Sequence, residues 1–492
     1  MSMAPHGTVR LLSAWTIPWV LALAQPAVPA RAGDDDDVLR ERLTEREDKR
    51  RPLGPWSFEL AGRPLTVGGE YALELGYLRH RIVGEDVNQT DRLLLEHGLQ
   101  LETFYTFGPV LSIFSQIEVV MEEDLLQDTV DGVSDIFVER GEMWLYSENI
   151  AGTHLNLDLG RLDFEDDRRW WWDDELDAAR VAYERETFEI ALAAARELGS
   201  DRSDQSEVDP ENERVFRLIG EASWDWSRNH AAELFLLYQD DHSPTESPGE
   251  MVSEEREDDS DARLGWLGAR LMGVFDFETR GLLGYWLDTA LVIGDEKVVE
   301  FEELSRHQSV VDGLSRRDVR GWGLDAGINW MLPLPWEPRL YAGYAFGSGD
   351  SRPEAGDDRR FRQTGIESDE AGFGGVERFP HYGIALDPEL SNLGILTIGA
   401  GLSLLRSSSL DLVYHCYRLV DPATALRDSR LEAELDGEHR NLGHGVDLVL
   451  AVEEWERFEL ALALSAFRAG QAFGMERGSW SYGGVLAVTF AF

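Results

Sequence analysis

The chain closes with Trp480-Ser481-Tyr482-Gly483-Gly484-Val485-Leu486-Ala487-Val488-Thr489-Phe490-Ala491-Phe492, and this stretch decides the fold. Trp480, Tyr482, Leu486, Val488, Phe490 and Phe492 share one parity, while Gly483, Val485, Ala487, Thr489 and Ala491 on the other are small or modest. Side chains alternate faces along a strand, so this is a β-strand with one bulky apolar side. At ~3.3 Å per residue it rises roughly 40 Å. A tilt of ~40° leaves a height near the ~25 Å apolar band and aromatic girdles of an outer-membrane barrel. A terminal phenylalanine on the outward face is also the address that the barrel-insertion machinery reads.

The same period of two runs back through the chain. Tyr71, Leu73, Leu75 and Tyr77 alternate with Ala72, Glu74 and Gly76; Trp322, Leu324, Ala326, Ile328 and Trp330 alternate with Gly323, Asp325, Gly327 and Asn329. Soluble sandwiches alternate too, but with strands of about five or six residues. Several segments here run to ten or more, the length a membrane-crossing strand needs. About eighteen such segments lie between residue 66 and the C-terminus. Their connections alternate in length: 240–261, 294–319, 349–392 and 420–442 are long and polar, whereas Gly108-Pro109 and Ser227-Arg228-Asn229 are tight. The expectation is an all-β transmembrane antiparallel barrel of about 18 strands, with short periplasmic turns and long extracellular loops.

The N-terminus carries a different signal. His6 and Arg10 precede the apolar stretch Leu11 to Ala24, and Ala30-Arg31-Ala32 offers a small-residue cleavage site before Gly33. Residues 1–32 therefore read as a secretory signal peptide. Residues 33–64 read as a charged periplasmic tail, helical or disordered, and 65–492 as the barrel. The destination is the outer membrane of a Gram-negative bacterium.

The 93 acids outweigh 46 bases, for a net charge of −47. Such a chain cannot supply the counter-ion release that drives nucleic-acid binding, so nucleic acid is not an expected partner. Cys416 is the single cysteine, which excludes an intrachain disulfide or a multi-cysteine zinc site. No carboxylate pair stands out as acid and base, and no nucleophile elbow or ordered triad appears, so no catalytic residues are assigned. A barrel enzyme is the least expected reading.

An eighteen-strand barrel is wide enough for an aqueous lumen, so function is expected on inward residues and infolded loops. Arg180, Arg217, Arg270 and Asp325 have the inward parity, in a set of mixed charge. These charges could pair to fix the barrel's shape or form a ladder for a charged solute. Trp170-Trp171-Trp172 could be a sugar-stacking platform, or a girdle or loop anchor at the outer rim. The loop Asp240–Asp261, with ten acids and Arg256 as its one base, has oxygen ligands suited to Ca²⁺ but no EF-hand spacing. A solvated loop is the expected state; neither a cofactor nor a structural metal is otherwise implied.

Several stretches resemble the alginate-export family, outer-membrane porins through which a polyuronate is secreted. They are Gly160-Arg161 followed by Trp171 and Asp173; Gly323-Leu324-Asp325; Gly343-Tyr344-Ala345; FRQTGIES at Phe361 to Ser368; Glu389-Leu390-Ser391-Asn392-Leu393; LVYH at Leu412 to His415; and GQAFG at Gly470 to Gly474. They fall in one order from about residue 66 to the C-terminus. The resemblance implies an eighteen-stranded monomeric barrel with a basic lumen. On it, Arg378 stands where a pore arginine is expected, and Asp173 matches an acidic pore residue. Gly141, Asp163, Asn329, Phe346 and Asp387 stand where members can carry bases, and His381 stands for another. Arg140 would compensate for Gly141 only after a register slip that reverses its face. Arg161 completes the candidate path. The expected function is passive export of an anionic exopolysaccharide, alginate or a related polyuronate; the alternative is a porin for uptake or general diffusion of other solutes. Expected partners are the anionic polysaccharide, outer-membrane lipid and lipopolysaccharide, and periplasmic proteins of a secretion complex.

Overall fold

The protein is described by a computed structural model over residues 56–83, 91–126, 135–241, 247–253, 256–258, 260–305, 308–352, 356–431, 434–455 and 457–492. The leader, residues 33–55 of the tail and part of the acidic loop lie outside these residues.

Eighteen long strands form the barrel. The first nine are β1 (Arg63–Arg79), β2 (Arg92–Thr106), β3 (Leu111–Asp124), β4 (Asp135–Ser147), β5 (Leu155–Glu165), β6 (Asp173–Arg185), β7 (Phe188–Ala195), β8 (Val215–Ser227) and β9 (His230–Asp241). The rest are β10 (Ser260–Asp276), β11 (Leu282–Ser305), β12 (Gln308–Met331), β13 (Arg339–Gly347), β14 (Leu393–Leu405), β15 (Ser408–Leu419), β16 (Asn441–Trp455), β17 (Phe458–Ala469) and β18 (Trp480–Ala491). Each pairs antiparallel with the next, and β18 returns to β1 with Phe490 opposite Tyr71 and Leu486 opposite Leu75. Beyond the ladder, the Phe492 N–H donates to the Gly69 carbonyl at 2.8 Å. Closure removes the unpaired edge that hydrocarbon would not tolerate.

The alternation in the sequence is the alternation between lipid and lumen. On β9, Leu234, Leu236 and Tyr238 are exposed on the outside, while Phe235 and Leu237 are buried inside. Trp224, Trp226, Phe275, Trp330, Trp455 and Phe490 lie exposed near the short-turn end, as a girdle residue should. Turns at that end are as short as 186–187, 228–229 and 406–407.

Two departures from the expected boundaries matter. The segment 294–319, expected as a polar loop, continues the β11 and β12 ladder to Ser305↔Gln308, and Met251–Val252 adds to its edge. The β-branched pairs Val298-Val299 and Val310-Val311 supply the strand preference that the surrounding charges obscure. Strands β5 and β6 also run further than expected, which leaves only 166–172 between them. In the segment expected as tail, Trp56–Leu60 pairs with Arg63–Val67.

The largest buried apolar cluster lies inside the barrel. It joins Trp170, Trp171, Trp172, Phe361, Tyr382, Leu386 and Leu390 from two long-side loops to Phe235, Leu264, Trp266, Tyr417 and Phe467 on the wall. The 166–172 loop and the 348–392 loop thus fold inward and pack on the side of the barrel built by β8 to β17.

Candidate functional site

The short 166–172 loop, here the Trp loop, is organised by one carboxylate. Asp166 accepts the backbone N–H groups of Arg168, Trp171 and Trp172 at 3.0, 2.7 and 3.1 Å. Its other face meets the Arg270 guanidinium of β10 at 2.6 Å. Arg270 is fully buried, and also meets Asp288 of β11 at 2.6 Å and Glu233 of β9 at 3.4 Å. The register explains the convergence, because Glu233 lies opposite Arg270, Arg270 opposite Asp288, and Asp288 opposite Asp325. One belt across four strands thus carries a lone base among three acids. The Trp loop adds the second base: Arg168 lies 3.3 Å from Asp288 and 3.6 Å from Asp325, with its guanidinium over the Trp286 ring. Buried charges persist only when paired in this way.

The indoles fix the rest of the loop. Trp171 stacks on Phe235 with centroids 4.8 Å apart, and Trp170 stacks on Phe361 at 6.1 Å. Two glycines on the wall make the seats. A Cβ on Gly268 would come within 2.2 Å of the Trp171 ring, and one on Gly323 within 2.6 Å of Phe361. Neither a stacking platform for sugar nor a lipid girdle is what the three tryptophans form: they are 1–2% exposed, inside the lumen.

The 348–392 loop, here the long loop, locks onto this base. Trp170 Nε1 donates to the Tyr382 hydroxyl at 2.7 Å, which donates to Asp325 at 3.1 Å; His381 Nε2 lies 3.3 Å from the same carboxylate. Burial drives the His381 pKa down and the Tyr382 pKa up. The two most distinctive stretches of the sequence bond to each other. The Gln363 N–H donates to Glu389, the Leu390 N–H donates to Gln363 Oε1, and Gln363 Nε2 reaches both oxygens of Asp369. Burial, and the repulsion between Glu367 and Asp369, raise the pKa of Asp369; burial raises that of Glu367. Arg362 forms a two-pronged pair with Glu296 of β11, which holds the loop's start to the wall.

At the inner edge of this plug, Glu165 accepts from Arg378 of the long loop and, at 2.9 Å, from Arg169 of the Trp loop. Arg169 also lies 3.4 Å from Asp173 and 2.7 Å from Glu370. Arg378 and Asp173, 205 positions apart in sequence, therefore meet through Arg169 and Glu165. A cavity of about 950 Å³ opens beside them, lined by Glu165, Arg180, Glu184 and the inner faces of β2 to β7.

The expected site residues divide into two groups. Arg270, Asp325, His381 and the three tryptophans gather in the plug, with Arg378 and Asp173 at its edge and Arg180 in the cavity wall, paired to Glu189 at 3.0 Å. Arg140, Arg161 and Arg217 lie apart, and they hold the 196–214 loop. Arg140 donates to the Gly199 carbonyl at 2.7 Å and pairs with Asp177; Arg161 reaches Asp201 at 3.8 Å; Arg217 donates to Asn212 at 2.9 Å. Not anticipated from sequence were Asp166, Arg168, Glu233, Asp288, Gln363 and Tyr382. Asp166-Asp167-Arg168 before the tryptophan triplet was the available signal. Among the described residues, two groups of carboxylates approach metal-ligand spacing, Asp163–Glu165–Asp173 and Asp241–Asp258–Asp261. Each already holds a side-chain cation: Arg169 in the first, and Lys297, 2.8 Å from Asp261, in the second.

The family model described as "Alginate export" matches residues 69–482. The chain is 26% identical over 343 residues to the alginate production protein AlgE of Pseudomonas aeruginosa, covering 67% of this chain and 69% of that protein. To AlgE of Pseudomonas syringae pv. tomato it is 24% identical over 459 residues, covering 89% and 85%. Among solved structures, OccK2 (OpdF) of P. aeruginosa, in complex with glucuronate, matches with a TM-score of 0.51 at 12% identity, over 87% of this chain and 98% of that one. OccK11 (OpdR) of the same organism matches with a TM-score of 0.50 at 11% identity, over 87% and 96%. These two likenesses show the fold.

Proposed function

We propose, from the premise that the chain belongs to the alginate export family, that its lumen passes alginate or a related polyuronate out of the cell. The protein is an outer-membrane transport channel of a Gram-negative bacterium. What carries the reading is that the family match spans 69–482 and so includes the plug as well as the strands. In this reading the barrel is a conduit and performs no bond chemistry. A uronate carboxylate is recognised best by guanidinium groups, which offer paired donors. Arg169 and Arg378 stand at the plug's edge, each held by Glu165, which lines the 950 Å³ cavity. An incoming carboxylate would exchange for that glutamate, so each arginine passes from one anion to the next along the polymer.

Purified protein in a planar bilayer tests this. Oligouronate added to one side blocks the current, and Arg378→Glu weakens the block roughly tenfold, the scale of one lost charge-assisted contact of ~1.5 kcal/mol. Block by neutral dextran of the same length, equal to that by oligouronate, would contradict it.

A further inference from the structure

The short-turn half of the lumen carries aromatic side chains that belong neither to the plug nor to the lipid girdle. Phe104 of β2 lies opposite Phe114 of β3, and Phe114 opposite Trp144 of β4, so one row crosses three strands. Tyr146 follows two positions along β4. All four line the 950 Å³ cavity and so face the lumen, whereas their chain neighbours Ile113 and Leu145 are exposed on the lipid side. Phe114 is buried and stacks on Trp144 with centroids 5.3 Å apart; Phe104 and Tyr146 meet the same indole at steep angles, at 6.4 and 6.2 Å. The indole N–H donates to Glu142 at 2.8 Å, and the ring packs against the apolar cluster of the plug. The platform is therefore anchored on two sides. Phe104, Trp144 and Tyr146 nevertheless stay partly exposed to the cavity. Aromatic surface that remains wet contributes nothing to folding, so its place in the lumen calls for a ligand.

The rest of the lining says which ligand. Glu142, Glu148, Asp158 and Glu184 stand around the aromatic strip, and Glu184 is fixed by the Asn156 amide at 2.9 Å. Carboxylate oxygens accept hydrogen bonds from hydroxyls. A pyranose carries hydroxyls around its rim and polarised C–H groups on its faces, and the C–H groups suit the negative face of an aromatic ring. An apolar floor with a few fixed polar groups at its edge is the usual form of a small-ligand site. Among the described residues, Arg180 is the one base in the lining, and Glu189 holds it at 3.0 Å. Charge recognition is thus left to Arg169 and Arg378. The position fits a polymer in transit: Gly108, Pro109 and Val110 of a short turn line one end of the cavity, and Glu165 at the plug's edge lines the other.

We infer that Phe104, Phe114, Trp144 and Tyr146 form a pyranose-stacking site at the periplasmic entrance of the lumen. The inference rests on the export reading and adds a contact for the sugar ring itself. A ring arriving from the periplasm lies on the strip and donates its hydroxyls to the flanking carboxylates. It then moves inward, where its own carboxylate meets Arg169 and Arg378. Mobile counter-ions screen the repulsion between uronate and the acids of the lining, while the stacking contact is indifferent to salt.

Single-channel block in a planar bilayer tests the site. Oligouronate is added on the short-turn side, and oligoglutamate with the same number of carboxylates serves as a probe without sugar rings. Trp144→Leu keeps apolar bulk against the plug but loses the ring. It shortens the residence of oligouronate about fivefold, the scale of one aromatic contact, and leaves oligoglutamate block unchanged. Trp144→Phe restores most of the residence, and Phe104→Leu shortens it in the same sense as Trp144→Leu. Arg378→Glu, by contrast, weakens block by both probes. An oligouronate residence unchanged in Trp144→Leu and Phe104→Leu, or an equal loss for both probes, overturns the site and leaves the export reading standing. A native channel that holds a neutral cello-oligosaccharide as long as oligouronate contradicts the export reading. The stacking site then stands if Trp144→Leu shortens that neutral block, and falls if it does not.

Discussion

Arg270 of β10 and Asp166 of the Trp loop, 104 positions apart in sequence, lie 2.6 Å apart in the lumen. The pair ties the loop to the belt of Glu233, Asp288 and Asp325, and it makes the plug part of the barrel's own electrostatics. Arg270→Ala removes the guanidinium that Asp166, Asp288 and Glu233 share and leaves Arg168 beside Asp288. Removing one partner of a buried pair costs about 3–5 kcal/mol, most of it borne by the plug because the strand ladders remain. The expected result is a barrel that still shows heat-modifiable migration in gels, with a larger and noisier conductance. An unchanged conductance would show that the plug does not depend on this pair.

Gly268 and Gly323 are seats for Trp171 and Phe361. Gly268→Leu or Gly323→Leu drives a side chain into a ring, and overpacking of this kind costs about 1–3 kcal/mol. Tryptophan emission should shift to the red and collisional quenching should rise, as the indoles leave their pocket. Gly76→Ala, where an added Cβ meets nothing within 4 Å, serves as the control and should leave both signals unchanged.

The strands, their number and the side on which the long loops fall were legible because lipid and lumen impose a period of two on every crossing. The plug was not. Asp166 finds Arg270, and Gln363 finds Glu389, through contacts with no periodicity. The FRQTG and ELSNL stretches stood out as distinctive, but only the folded chain places them against each other. Arg270 and Asp325 were visible as inward charges, yet inward parity alone could not separate them from Arg217, which serves a loop at the rim. The hairpin at 294–319 was misread because its charges resemble a loop while its paired valines make a strand.

Docking of the long loop should depend on pH. Burial raises the pKa of Glu377 from 4.5 to about 7 and that of Asp387 from 3.8 to about 6. A carboxyl raised on docking stabilises the docked state fully below its free pKa and loses that contribution as pH rises through the docked value. Docking should therefore weaken between about pH 4 and pH 7 on account of these two. His381, whose pKa burial lowers, acts in the opposite sense and penalises docking once it protonates at acid pH. Limited proteolysis of the long loop from pH 5.5 to 8 should show faster cleavage at the alkaline end. Glu377→Gln should flatten the profile, and a flat native profile would refute the assignment.

Phe492 closes the barrel through its N–H and carbonyl, which exchange hydrogen bonds with Gly69 at 2.8 and 3.2 Å. Deleting it removes both bonds, at ~1 kcal/mol each, along with the ring that lies 6.1 Å from Trp56. Refolding into lipid vesicles should give a lower yield and a lower melting temperature, while Phe492→Tyr stays close to native.

Secretion by whole cells tests the central claim most directly. The gene is placed in an alginate-producing bacterium that lacks its own outer-membrane exporter, and uronate is measured in the medium and in the periplasm. Polymer is expected in the medium, reduced when Arg378 is replaced by glutamate. Polymer retained in the periplasm, with the barrel folded in the outer membrane, would contradict it.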